Sequence, residues 1–111
     1  MVYRKPNTLI PLELSILDAL AGRGAEGGHG FAIAQELADG SQKLTSHGTL
    51  YKALGRLDGR GLVSATWEDA AIAEAAGRPR RKIYRITAAG STAMREARTA
   101  QARPDLGGAP A

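Results

Sequence analysis

Up to Gly61 the apolar residues of this chain recur at helical spacing; beyond it they alternate. That change of period favours a fold in which several helices precede a small β-ribbon. The switch follows "SHGTLYKALGRLDGRGLV" (46–63), a segment that ends on glycines. On a helical wheel of about 100° per residue, Leu50, Leu54 and Leu57 form one stripe with Ala53 beside them. Thr45, Gly48, Thr49, Lys52, Gly55 and Arg56 lie opposite, with Tyr51 on the flank.

Two helices precede this one. The first starts near Pro11, a residue tolerated in a first turn, with Glu13 suited to the positive helix end. Leu9, Leu12, Ile16, Ala19 and Leu20 share its apolar face, Leu17 sits at the edge, and Gly22 and Gly24 end it. "GAEGGHG" (24–30) reads as a turn. It lacks the preceding strand and the Gly-Lys-Ser/Thr of a phosphate-binding loop. A short second helix, Phe31 to Ala38, buries Phe31, Ile33, Ala34 and Leu37, and "DGS" (39–41) breaks it. Thr45 or Ser46 then caps the third helix.

Beyond Gly61, "LVSATW" (62–67) and "RKIYRIT" (81–87) read as an antiparallel pair. The connector 68–79 is long for a hairpin, and its Ala-rich centre suits a helical turn or a mobile loop. Thr87 caps a last helix that runs to Arg103, where Pro104 stops it. Its seam is poor in large residues: Ala89, Ala93, Met94, Ala97 and Ala100. The order helix, helix, helix, strand, strand, helix describes a mainly α winged helix-turn-helix with a small β-ribbon and a C-terminal dimerisation helix. The expected boundaries are a flexible arm 1–7, a winged domain 8–86, a dimerisation helix 87–103 and a disordered tail 104–111.

With 111 residues the chain makes one small domain, marginal alone and helped by forming a homodimer. It has no Cys, which excludes disulfides and thiolate chemistry. No apolar run approaches a membrane span and no signal-peptide core follows the N-terminus, so no membrane role and a cytoplasmic location are expected. The charge is lopsided. Through Leu50 there are four Lys/Arg and five Asp/Glu; from Tyr51 there are eleven and six, a change from −1 to +5. One-sided basicity is the footprint of a nucleic-acid or other anionic partner, and also occurs on plainly soluble surfaces.

The back of the third helix admits two readings as well. It is either an ordinary solvated face or a recognition surface, where small residues allow close approach and Lys52 and Arg56 meet phosphates or guanine edges. The neighbouring "GRPRRK" (77–82) favours the second reading. Arg78, Arg80, Arg81 and Lys82 crowd four positive charges where a wing belongs, at an electrostatic cost that an anion would relieve. The expected DNA-binding set is Thr45, Ser46, His47, Gly48, Thr49, Tyr51, Lys52 and Arg56 on the helix, with Arg78, Arg80, Arg81 and Lys82 on the wing.

Trp67, the single Trp, is either core or an aromatic platform lining a ligand pocket at a dimer interface. His29 and His47 stand far apart without further ligands, so no metal or other cofactor is expected. No nucleophile elbow or other catalytic signature is present, and nothing argues for an enzyme.

"GTLYKAL" (48–54), "GLV" (61–63), Trp67, "GRPRRKIYRIT" (77–87) and Gly90, with "PLELSIL" (11–17) and "HGF" (29–31), resemble the PadR-like transcriptional regulators. The resemblance covers residues 8–95 in family order. It implies a dimeric winged-helix repressor, joined chiefly through the last helix and released from DNA by small aromatic or lipophilic effectors. By analogy Thr49, Tyr51 and Lys52 read DNA, and Arg78, Arg80 and Arg81 hold it from the wing. His47 stands where many members carry Pro, which places a titratable group at the start of the reading helix. The connector is longer than in many members, and the single C-terminal helix resembles the family's short branch, without a separate effector domain. The expected function is a sequence-specific regulator on a pseudo-palindromic operator. The alternative is a winged-helix module that binds an acidic protein.

Overall fold

The computed structural model describes residues 9–39 and 46–102. The expected arm, Thr45 and the tail lie outside those residues. Helix α1 spans Pro11–Arg23, and a short 3-10 turn (Gly24–Glu26) leads into strand β1, Gly28–His29. Then follow α2 (Gly30–Asp39), α3 (His47–Gly59), β2 (Val63–Trp67), α4 (Ala70–Ala75), β3 (Lys82–Ile86) and α5 (Ala88–Ala102).

Side chains of α1, α2 and α3 meet in one core. Ile16, Leu17 and Leu20 of α1, Ile33 of α2, and Leu50, Ala53, Leu54 and Leu57 of α3 are wholly buried. The expected α3 stripe is therefore the inner face, and Leu17 belongs fully to the core rather than to its edge. Leu62, Val63 and Tyr84 close the core from the sheet, while Ala93 and Met94 of α5 pack partly against it.

The sheet has three antiparallel strands in the order β1-β3-β2. The segment read as a turn, 24–30, thus contributes a strand: Gly28 pairs with Tyr84 and His29 with Ile83. Two residues are too short for alternation to reveal, and β3 recruits them by their backbone groups. In the β2–β3 ribbon Val63 pairs with Ile86 at the core end and Trp67 with Lys82 at the far end. The connector forms α4, whose N-cap Asp69 accepts the Ala71 N–H at 2.8 Å and whose Ala73 is buried.

Two caps confirm the sequence reading. Ser46 accepts the Thr49 N–H at 3.2 Å and donates its hydroxyl proton to Thr49 Oγ1 at 2.9 Å. Thr87 Oγ1 accepts the Gly90 N–H at 3.0 Å and donates to Gly61 O at 2.7 Å, tying α5 to the turn that ends α3.

One placement differs from expectation, and a second excludes the core reading of Trp67. Phe31 is 58 % exposed, because it projects from the first turn of α2 away from the core and meets His47 edge-on, ring centroids 6.1 Å apart. Trp67 is 61 % exposed. It shares a strand face with Val63, but the core ends below Val63 and Ala65, so the far end of β2 has nothing to bury it.

Candidate nucleic-acid interface

Helix α3 presents Ser46, His47, Gly48, Thr49, Tyr51 and Lys52 to solvent in one band. Lys52 has no ion-pair partner among the described residues. Tyr51 is fixed by a close approach: a Cβ on Gly30 would collide with its ring and hydroxyl. The small residue in "HGF" therefore lets α3 and the start of α2 touch.

Arg56 belongs to a different construction. Its Nε donates to Oε2 of Glu13 at 2.8 Å, and Arg60 Nη1 lies 3.8 Å from Oε1 of the same carboxylate. Glu13 is fully buried and also accepts the Ile10 N–H at 3.0 Å. The residue read as a helix-end charge is thus an inter-helix anchor. Arg56 remains 44 % exposed but holds Glu13 with its Nε. No spacing rule relates positions 13 and 56, so this pair is invisible before folding.

The wing cluster has an internal anion as well. Glu68 receives both terminal nitrogens of Arg78, at 2.5 and 2.9 Å. Arg80 Nε donates to the Glu68 backbone oxygen at 2.9 Å, and the Arg81 N–H reaches Glu68 Oε1 at 3.4 Å. The Arg78 hydrogen bonds hold the Glu68 carboxyl down to about 2. Crowding of the four cations is therefore relieved in part from within the chain, by one carboxylate that pairs with Arg78. The signal available in the sequence was an acidic residue directly after β2, opposite the basic run.

Arg81 turns the other way, its Nη1 2.9 Å from His29 Nε2. A guanidinium only donates, so Nε2 accepts and the ring proton sits on Nδ1. The Ala32 N–H approaches Nδ1 at 3.4 Å, but both nitrogens of a neutral ring cannot accept, and the charge-assisted contact is the stronger. Burial, followed by the charges of Arg81, Arg78 and Arg23, lowers the His29 value below 6.5. Lys82 extends over the Trp67 ring, 5.9 Å from its centroid.

These groups surround a cleft of about 590 Å³ between the start of α2, α3 and the ribbon. Phe31, Tyr51, Trp67 and Tyr84 supply aromatic walls, and Arg80, Arg81 and Lys82 supply charge. Trp67 thus lines a cleft beside α3; no residue of α5 lines it. On α5, Ala93 and Met94 face the protein's own core in part, Ala97 is half-buried, and Ala89 and Ala100 are exposed. Arg98 pairs with Asp18, holding α5 against α1.

Three core helices, a three-stranded sheet with a basic ribbon, and an exposed polar face on the third helix define a winged-helix protein. The Transcriptional regulator PadR-like family model matches residues 16–96, and the chain belongs to that family. Its members are transcription regulators rather than enzymes. A PadR-like transcription factor from Bacteroides fragilis is 28% identical, with TM-score 0.67 over 81% of this chain and 79% of that one. A PadR family regulator from Eggerthella lenta is also 28% identical, with TM-score 0.62 over 81% and 77%. Bacillus subtilis PadR in complex with operator DNA shares the fold at 18% identity and TM-score 0.64, over 88% of this chain and 50% of that one. No curated protein matches the chain. Among the described residues no helix is long and apolar enough to cross a membrane.

Proposed function

We propose that this protein is a DNA-binding repressor that acts as a homodimer on a pseudo-palindromic operator in the cytoplasm, where the DNA is. The observation that carries the reading is the exposed Tyr51–Lys52 band of α3 lying beside the exposed Arg80 and Lys82 of the ribbon, with Lys52 in no ion pair among the described residues. The operator complex of the B. subtilis relative supports it. In a dimer the two α3 helices enter successive major grooves about 10 base pairs apart, with the wings on flanking phosphates or the minor groove. Ser46, His47, Gly48, Thr49, Tyr51 and Lys52 approach the bases and backbone, and Thr45 precedes them. Arg56, Arg78 and Arg81 contribute only through the donors that Glu13, Glu68 and His29 leave open.

In this reading residues 8–86 form the DNA-binding unit and 87–103 the dimerisation helix. Ala89, Ala97 and Ala100 offer the small-residue seam to the second copy, flanked by Ala93 and Met94. A small aromatic or lipophilic effector that loosens the grip belongs to the same reading, with Trp67 as its reporter. A gel shift at low salt against DNA upstream of the protein's own gene tests the core of it. A shifted band that weakens steeply with salt is expected. No shift at low salt would favour the acidic-protein module instead.

A further inference from the structure

The aromatic cleft beside α3 holds Phe31, Tyr51, Trp67 and Tyr84 at a basic edge, two of them more than half exposed. Such rings ordinarily find cover in a core or against a partner. We infer that this cleft is the seat of one DNA strand, with Phe31 and Trp67 packing on the deoxyribose faces while Arg80 and Lys82 take the adjoining phosphates. The inference rests on the DNA-binding reading and extends it to apolar contacts.

Three observations choose this occupant. First, the cleft is continuous with the reading face, because Tyr51 belongs to both. A helix seated in the major groove brings the adjoining backbone strand past its flank, where the cleft lies. Second, its charge is complementary: Arg80 and Lys82 are exposed at its rim, and Lys52 follows Tyr51 on α3. Third, its walls stand open. Phe31 is 58 % exposed, Trp67 61 % and Tyr51 47 %, whereas a site for a small ligand buries most of the ligand's surface. The Lys82 ammonium over the Trp67 ring sets an apolar plate and a cation side by side, matching the alternation of sugar and phosphate along a strand.

The test uses the full chain and a mixed-sequence duplex at low salt, so that no operator need be known. Trp67 emission should shift, and its acrylamide quenching should fall, when duplex is added. Phe31→Ala and Trp67→Ala should each weaken binding about tenfold with an unchanged salt slope, because apolar contacts release no counterions. Arg80→Gln should instead reduce the slope by about one. Both rings are exposed, so their removal leaves the fold intact, which circular dichroism checks. Binding with silent Trp67 and unaffected ring variants would overturn the cleft assignment alone. Trp67 quenched by benzoate but indifferent to duplex would also overturn it and give the cleft to a small anion. Failure of the wild type to bind any duplex would overturn the DNA reading with it.

Discussion

Glu68 and Glu13 each neutralise arginines that a count of charges would assign to DNA. The Arg78 hydrogen bonds hold Glu68 at about 2, so its contribution to stability is complete above the ordinary carboxyl value of 4.5. It is lost as the pH falls through about 2. A carboxyl NMR titration should find Glu68 ionised down to that range. Arg78→Gln should return it toward the ordinary value. Glu13→Gln should cost about 1–3 kcal/mol in urea unfolding, at or below the lower end for a broken buried pair, because both arginine partners keep some contact with water. Gly30→Ala would press on Tyr51 and should weaken DNA binding more than it weakens the fold.

At the scale of elements, His29 joins the start of α2 to the ribbon through Arg81. Its value is lowered, first by burial and then by Arg81, so the folded state prefers the neutral ring. The resulting stability is fully present above pH 6.5 and is lost as the pH falls through the depressed value. Protonation removes the acceptor and sets a cation against Arg81, with Arg78 and Arg23 also nearby and Glu68 as the opposing charge. Amide protection factors along β1 and β3, corrected for the intrinsic pH dependence of exchange, should therefore fall on acidification, and His29→Gln should flatten that response. His47 sits elsewhere, against Phe31 at the exposed start of α3. A duplex-binding measurement on His47→Gln beside the wild type isolates its share. The two histidines are thereby separable: one sits at the wing's attachment, the other at the start of α3.

At the scale of the whole molecule, the proposed homodimer would couple α5 to the DNA contact. The seam on α5 is best tested by Ala97→Glu with Ala100→Glu, since truncation after Thr87 also strips Ala93 and Met94 from the core. The double variant should sediment as a monomer and bind DNA poorly; a variant still dimeric would remove α5 from that role. The order of the helices, the inner stripe of α3, the caps at Ser46 and Thr87 and the β2–β3 ribbon were legible from residues alone. Each depends on neighbours a few positions apart, where spacing and turn chemistry act. The sequence could not tell that Phe31 and Trp67 face outward, because periodicity names a face but not where the core beneath it ends. Nor could it show β1, or that Glu13 and Glu68 would claim Arg56 and Arg78, since these contacts join positions 10 to 56 residues apart. The chain's local chemistry thus determined its helices, the β2–β3 ribbon and its basic half. Only the tertiary structure decided which of those charges face outward, because burial and pairing at a distance are set when the helices close on the sheet.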